Sequence, residues 1–390
     1  QHEAFKRLEP VYKVIKSIWD FYSIDYITVM TGQGYHFVSR VPKTAQVHKD
    51  LEKIGKIQST LAGKYQHIPP GSRRKHTVDL DMGTAYDGAG RLMEFLAQEI
   101  MKKASSQCDM PIVISDVAVG RGKKGREGIS LDLTMYADPL FMRDIRTPFS
   151  THQKHKVMRY KVGDWIASKI PVQVTIPRRI YTKGGEIIEK GLDELLEMRR
   201  HFRKCADYAA QVVTKIPDAS LGFEKVMADY LKSSLYRFHQ YFDSTEHDDW
   251  RNWSNTYDKL DKSWYPPCVT IPIENPNPAL LKPTNIQTLC RCFLARGWHP
   301  KHIGGFLRSK YERNYNWEEN WNKYDAASRA NWWARVYCGL IATGVDDEVD
   351  LNCVSHQEKE FCPVPWCGYN LASYKIDKKK MKEMFGEEKN

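Results

Sequence analysis

The sequence predicts a mixed α/β (α+β) protein, with an α/β domain first and a mainly helical domain last. Three observations predict it. The chain opens in the order helix, strand, turn, strand. A long helical-period stretch runs from Leu192 to about Phe242. A Pro-rich connection, Tyr265 to Pro283, then precedes two further helical stretches. The divisions that follow are an α/β domain over 1–190, a helical segment over 191–264, a linker over 265–283 and a helical C-terminal domain over 284–390.

The elements follow in order. From Ala4 to Tyr22, apolar residues at 4, 5, 8, 11, 12, 15, 18, 19 and 22 keep the spacing of one helix face. Asp25–Met30 (DYITVM) reads as a strand, TGQG as a turn and YHFVSRV as the next strand. Lys43 to Lys64 reads as helical. The polar, basic HIPPGSRRKH leads into the short acidic run VDLD, read as a strand. A helix is expected from Gly88 to Lys103. Strands are expected in MPIVISDVAV and GISLDLTMY, with the basic loop GRGKKGRE between them. Past the linker, Thr284 and Gln287 read as a capping box. Gly297 stops that helix and Pro300 starts the next. The pair reads either as a helix-turn-helix or as an ordinary helical hairpin.

Composition narrows the function classes. The chain has 390 residues and a net charge of +11, which favours a polyanionic partner. No apolar run has the length of a membrane span, and no signal-peptide pattern opens the chain. The expectation is a cytoplasmic, non-secreted protein with no membrane partner. Nine cysteines, an odd number, suit a reducing compartment and metal ligands rather than a disulfide framework. No GxxxxGK[ST] occurs, so a helicase activity would have to come from a separate partner.

Five segments could carry chemistry. In Thr31-Gly32-Gln33-Gly34-Tyr35-His36 the glycines permit a tight turn, and His36 could donate to a phosphate oxygen. An ordinary hairpin turn has the same pattern. In Val78-Asp79-Leu80-Asp81, read as a strand, Asp79 and Asp81 share one face and could hold divalent cations. Asp132, flanked by Leu131 and Leu133, is a carboxylate expected on a buried strand, where it is costly unless paired or metal-bound. Asp138, before Pro139, reads as a turn residue. Arg146, Ser150, His152 and Lys154 alternate, so an extended segment would place them on one face as a triphosphate clamp. Finally, Cys353-x2-His356-x5-Cys362-x4-Cys367 has the residue types of a closed tetrahedral zinc site. Cys268, Cys290, Cys292 and Cys338 are the alternative ligands.

Together, TGQGYH and SLDLTMYADPLFMRDIRTPFSTHQK resemble the archaeo-eukaryotic primase superfamily, the primase-polymerases of phages and mobile elements. The resemblance covers roughly residues 1–160, and the Arg-x-Pro-x-Ser-x-His-x-Lys-like segment is its most specific part. It implies a split RRM-like catalytic core and template-directed nucleotidyl transfer on single-stranded DNA. It also implies two Mg2+ or Mn2+ ions, a primer and nucleoside triphosphates as substrates. His36 would contact the incoming triphosphate. Arg146, Ser150, His152 and Lys154 would lie near its phosphates, and Asp132 would be the third metal-binding acid. The family's paired acid precedes its histidine element, whereas VDLD follows it here. Either Asp79 and Asp81 are that pair in a rearranged order, or the pair lies upstream of Gln1. The zinc-bearing helical part resembles accessory regions of mobile-element primases. A non-catalytic DNA-binding replication initiator and a metal-dependent nuclease are the competing readings.

Overall fold

A computed structural model of the chain describes residues 2–32, 34–65, 67–68, 77, 79–115, 128–140, 145–152, 159–169, 172–276, 280, 282–313, 315, 325–348, 352–374, 376–377, 381 and 384–385, of which 152, 161 and 162 are described for their backbone alone. It is a mixed α+β structure, mostly helical with a small sheet. The helices include α1 (His2–Phe21), α2 (Gln46–Ile54), α3 (Ser59–Tyr65), α4 (Leu80–Ala104), α5 (Leu192–Met198), α6 (Phe202–Gln211) and α7 (Ser220–Lys232). They continue with α8 (Ser234–Phe242), α9 (Pro267–Glu274), α10 (Pro283–Ala295), α11 (Pro300–Tyr311), α12 (Ala326–Ala342) and α13 (Cys353–Glu358). The strands are β1 (Ile27–Met30), β2 (Tyr35–Val38), β3 (Ile112–Ile114), β4 (Ile129–Leu131), β5 (Thr151–His152), β6 (Gln173–Val174), β7 (Ile176–Thr182), β8 (Ile187–Glu189) and β9 (Val212–Val213).

Contacts gather into two compact units, 1–48 with 143–225 and 49–142 with 226–390. The expected division at 190/191 therefore falls within the first unit. The Pro-rich stretch falls within the second. Part of it is helix rather than linker, because Pro267 occupies the first turn of α9, where a missing N–H costs nothing.

The first unit is built on an antiparallel sheet in the order β2-β1-β7-β8, with β9 also pairing to β7. The sequence reading missed β7, its central strand. Pro177 and the adjacent Arg178 and Arg179 hide the β-branched pattern of VTIPRRIYT. Both arginines are buried. Arg178 donates to both carboxylate oxygens of Glu9 and lies 3.7 Å over the Tyr12 ring. Arg179 donates to the Tyr26 carbonyl and lies 4.0 Å over that ring. Helix α1 meets the sheet through aromatic pairs, with Tyr12 against Tyr35 at 4.9 Å and Trp19 against Phe37 at 5.8 Å. The core of the unit joins Phe5, Val29, Met30, Ile176 and Ile180 to Leu195, Tyr208 and Val212 of α5, α6 and β9.

In the second unit, VDLD is not a strand. Asp79 is the N-cap of α4 and Asp81 lies in its first turn, both exposed. Residues two apart on a helix do not share a face, so the expected geometry of an acidic pair is not formed. Carboxylates at a helix start complement its dipole, which accounts for both acids locally. Farther along, α4 comes so close to the end of α2 that a Cβ on Gly88 would meet the Leu51 carbonyl oxygen at 2.1 Å. Strands β3 and β4 pair in parallel, and the basic loop that joins them lies outside the described residues. Gly297 ends α10 at φ +82° and Pro300 opens α11, as expected. The capping box is not formed. Lys282 is the N-cap of α10, and Thr284 and Gln287 are buried inside the helix. Nearly every residue of α11 is buried, including Ile303, Phe306, Leu307, Ser309 and Tyr311. That leaves it no polar face to read a groove, so the pair is an ordinary helical hairpin. Among the described residues no helix is long and apolar enough to cross a membrane.

Candidate functional site

In the first unit the histidine motif is a hairpin turn. The Thr31 N–H and hydroxyl both donate to the Gly34 carbonyl, at 2.8 and 3.1 Å, and close β1 onto β2. His36 pairs in register with Val29 and is exposed. Its neighbours Tyr35 and Phe37, on the opposite face by strand alternation, pack on α1.

The basic segment is not the straight strand expected. Residues 147–150 form a turn, with Phe149 at φ +64° and the Ser150 N–H donating to the Thr147 carbonyl at 3.1 Å. The turn is fastened to Thr175. The Phe149 N–H donates to the Thr175 carbonyl at 2.7 Å, and the Thr175 N–H donates to the Ser150 carbonyl at 2.8 Å. The Ser150 and Thr175 hydroxyls lie 2.9 Å apart. Arg146 is exposed on the near side of this turn, so it does not continue an alternating face with Ser150. The His152 backbone pairs with Gln173, and Lys154 lies outside the described residues.

One residue that the sequence reading missed touches both motifs. Arg199, just past α5, has no exposed surface. Its Nη2 donates to the Thr31 carbonyl at 2.7 Å, in the histidine turn. Its own carbonyl accepts from the Val174 N–H at 3.0 Å, and Val174 pairs with Thr151 of the basic segment. Its Nε and Nη1 are buried without a partner. Burial, and then Arg200, push its guanidinium down to about 10, so it remains charged at neutral pH. Nothing in composition or period marks such an arginine.

The acids of the second unit also depart from expectation. Asp132 follows β4, is exposed, and accepts from the Thr134 N–H at 2.9 Å and its hydroxyl at 2.5 Å. This is an Asx-type turn, not a buried strand carboxylate. The turn residue Asp138 is the buried one, at 1% exposure. It accepts from the N–H groups of Leu140 and Asp325 at 3.2 and 3.0 Å, and burial pushes its carboxyl up to about 6.

A larger buried network runs from α4 to α8 and α12. Asp87, Arg91, Glu94 and Gln98 form one stripe of α4 at helical spacing, all buried. Arg335 bridges Asp87 at 3.0 Å and Glu94 at 2.7 Å. Arg91 bridges Asp87 at 3.1 Å and Asp243 at 2.7 Å. His239 Nε2 lies 3.1 Å from Glu94. Burial alone would raise the Asp87 carboxyl, but Arg335 and Arg91 hold it down at about 2. Each acid here is hydrogen-bonded to an arginine, which ties α4, α8 and α12 together.

The cysteines regroup. His356 is buried, with its Nε2 3.1 Å from the Thr288 hydroxyl of α10, and burial pushes it down to about 4. Its Nδ1 is buried without a hydrogen-bond partner. The buried Cys268 of α9 lies near Cys362, Cys353 and Cys367. Burial first, and then those three sulfurs, push its thiol up to about 12. Two hydrogen bonds draw the tail to the turn before α9, from Tyr369 Oη to the Ser263 carbonyl at 2.9 Å and from Tyr374 Oη to the Trp264 carbonyl at 2.8 Å. The Leu371 N–H points at Cys353 Sγ at 3.3 Å. Among the described residues, no group of three or more His, Cys, Asp or Glu is drawn together closely enough to hold a metal ion as it stands.

Comparison with family models, curated proteins and solved structures finds no match.

Proposed function

We propose that the chain is a nucleotidyltransferase of the primase-polymerase type, acting on nucleoside triphosphates and single-stranded DNA. The observation that carries this reading lies in the first unit. Two motifs far apart in sequence, the Thr31–His36 hairpin and the 147–152 turn, are linked there through Thr175, Val174 and Arg199. The sheet of that unit would be the part of a split RRM-like core that handles the triphosphate. His36 and Arg146, both exposed, would contact phosphates. Asp132, an exposed residue of the second unit, keeps the role that the resemblance implies for it, an oxygen ligand to Mg2+ or Mn2+. The protein's work would be charge placement around an in-line displacement, not covalent catalysis. A separate helicase would open duplex DNA.

In the second unit, Cys268, Cys353, Cys362 and Cys367 would hold a structural metal. Four thiolates suit tetrahedral zinc, and equally an iron–sulfur cluster. A backbone N–H directed at Cys353 Sγ favours the thiolate that either would need.

Two measurements test these readings. Primer synthesis on single-stranded DNA with labelled nucleotides and Mn2+ should give metal-dependent products that His36→Ala and Asp132→Ala abolish. Products from Asp132→Ala at the parent level would remove that residue from the site. No products, with DNA still bound in the absence of metal, would favour the DNA-binding initiator. Metal analysis should find zinc or iron lost in Cys268→Ser and retained in His356→Gln. The reverse pattern would restore the ligand set expected from sequence.

A further inference from the structure

We propose that Arg199 is the buried anchor of a polyphosphate-binding site at the Thr31–Gly34 turn, drawing in the phosphate chain of a nucleoside triphosphate or of an inorganic polyphosphate. The site is the one proposed above for the triphosphate, so the inference rests on that reading and names a residue and a charge for it.

The case begins with an imbalance. Arg199 has no exposed surface, yet only one of its three guanidinium nitrogens has a partner, the neutral Thr31 carbonyl. Nε and Nη1 are buried without one. The charged or titratable groups acting on it are Arg200, which repels, and Tyr35 and Cys205, both neutral at pH 7. Burial raises the Tyr35 hydroxyl and the Cys205 thiol, so neither becomes a counter-ion. Among the described residues no carboxylate compensates the charge. An arginine cannot escape burial by losing its proton. A buried cation without a counter-ion is retained only at a cost, and a site that waits for an anion explains the cost.

The surroundings point to where the anion comes. Nη2 is directed at the turn through the Thr31 carbonyl. At Gly34 a side-chain carbon would stand in open space, with nothing within 4 Å. His36 and Arg146, in the same unit, are exposed. A charge held in a poorly polarisable interior is felt more strongly at a nearby surface than one in water. The guanidinium thus adds a fixed positive potential beneath the turn without touching the ligand. That makes Arg199 a positioning residue, whereas His36 is a contact.

The test is binding of inorganic tripolyphosphate to the full chain, followed by calorimetry and by thermal shift, with ATP in a parallel titration. The parent should bind both. Arg199→Gln, which keeps a donor for the Thr31 carbonyl, should bind both at least about tenfold more weakly, while Arg199→Lys stays within about threefold. Arg200→Met removes the same charge from the exposed neighbour and should change affinity by less than about threefold. Equal losses in Arg199→Gln and Arg200→Met would show general attraction to a basic protein and overturn the proposal. So would unchanged binding in Arg199→Gln, equal losses in the Lys and Gln variants, or a parent that binds no tripolyphosphate. Should Arg199→Gln not fold, loss of tripolyphosphate binding in a folded Arg199→Lys would equally overturn it. If ATP binds as expected and no primer is made, the anchor stands and the nucleotidyl-transfer reading alone falls. Binding of ATP but not tripolyphosphate would assign the affinity to the nucleoside and remove the anchor.

Discussion

Arg335 and Arg199 are both buried guanidinium groups, and the protein treats them in opposite ways. Arg335, at 5% exposure, sits between Asp87 and Glu94, with Arg91, Asp243 and His239 completing the network. Its charge is neutralised inside the second unit. Arg199, at 0% exposure, has one carbonyl and no carboxylate among the described residues. A closed network of matched charges holds elements together and has nothing left to offer a ligand. An unmatched charge contributes little to holding the fold, and its field is available to something outside the chain. Asp138 forms a third case. It too is buried with only backbone donors close by and Arg329 acting weakly. A carboxyl can shed its charge by taking a proton, as its rise to about 6 shows. A guanidinium has no such exit.

The largest expected effect breaks the matched case. Arg335→Met leaves Asp87 and Glu94 buried and short of a cation, and should destabilise the second unit by about 3–5 kcal/mol. Urea unfolding monitored by tryptophan fluorescence would report it, since Trp332 and Trp333 lie on the same helix. A loss under about 1 kcal/mol would mean that the network is not closed in solution and would dissolve the contrast.

How much of this was legible in the sequence depends on range. Local features were. The period of α1, the β1–β2 hairpin around TGQG, the stop at Gly297 and the start at Pro300 are all set by residues within a turn of one another. Features that depend on competition between local signals were misread. VDLD alternates over four residues, but the helical run that follows it is 25 residues long and claims Leu80 and Asp81 for its first turn. Strand β7 carries two arginines whose burial depends on Glu9, Tyr12 and Tyr26 elsewhere in the chain. Of the proposed site, the Thr31–His36 and 146–154 segments were visible and Arg199 was not, because burial of an arginine is decided by what packs over it. Likewise, spacing marked Cys353, Cys362 and Cys367 and left Cys268 as an alternative, and the nearness of Cys268 to those three is decided by packing.

A smaller effect tests the intermediate case. The Asp138 carboxyl is raised from its ordinary 3.8 to about 6, so the folded chain holds a proton that the unfolded chain has released between those pH values. Stability from this group is present in full below about pH 3.8 and is lost as pH rises through about 6. The loss should amount to at most about 3 kcal/mol. His356 works in the opposite sense. Lowered from 6.5 to about 4, it stabilises above its ordinary value and is lost as pH falls through about 4. Asp138→Asn removes the first contribution alone, so its stability relative to the parent should improve steadily between pH 4 and 6. A difference that does not vary with pH over that window would show that the backbone donors hold Asp138 ionised.

The smallest expected effect is the most telling, because it is a small one at a fully buried charged residue. Arg199→Met forfeits one hydrogen bond to the Thr31 carbonyl, worth about 1–3 kcal/mol. It also removes the desolvation cost of an unpaired guanidinium, which is several kcal/mol on its own scale. The two oppose each other, and a methionine fills much of the vacated volume beside Phe5, over whose ring the guanidinium now stands at 5.9 Å. The net change in stability should therefore lie within about 1 kcal/mol of zero, and a gain is as consistent with the argument as a small loss. The same denaturation series that shows a large loss for Arg335→Met would check it. A loss at Arg199 as large as that at Arg335 would mean that the guanidinium is matched after all in the native chain, and the difference between the two regions would vanish along with the reason to expect an anion at the turn.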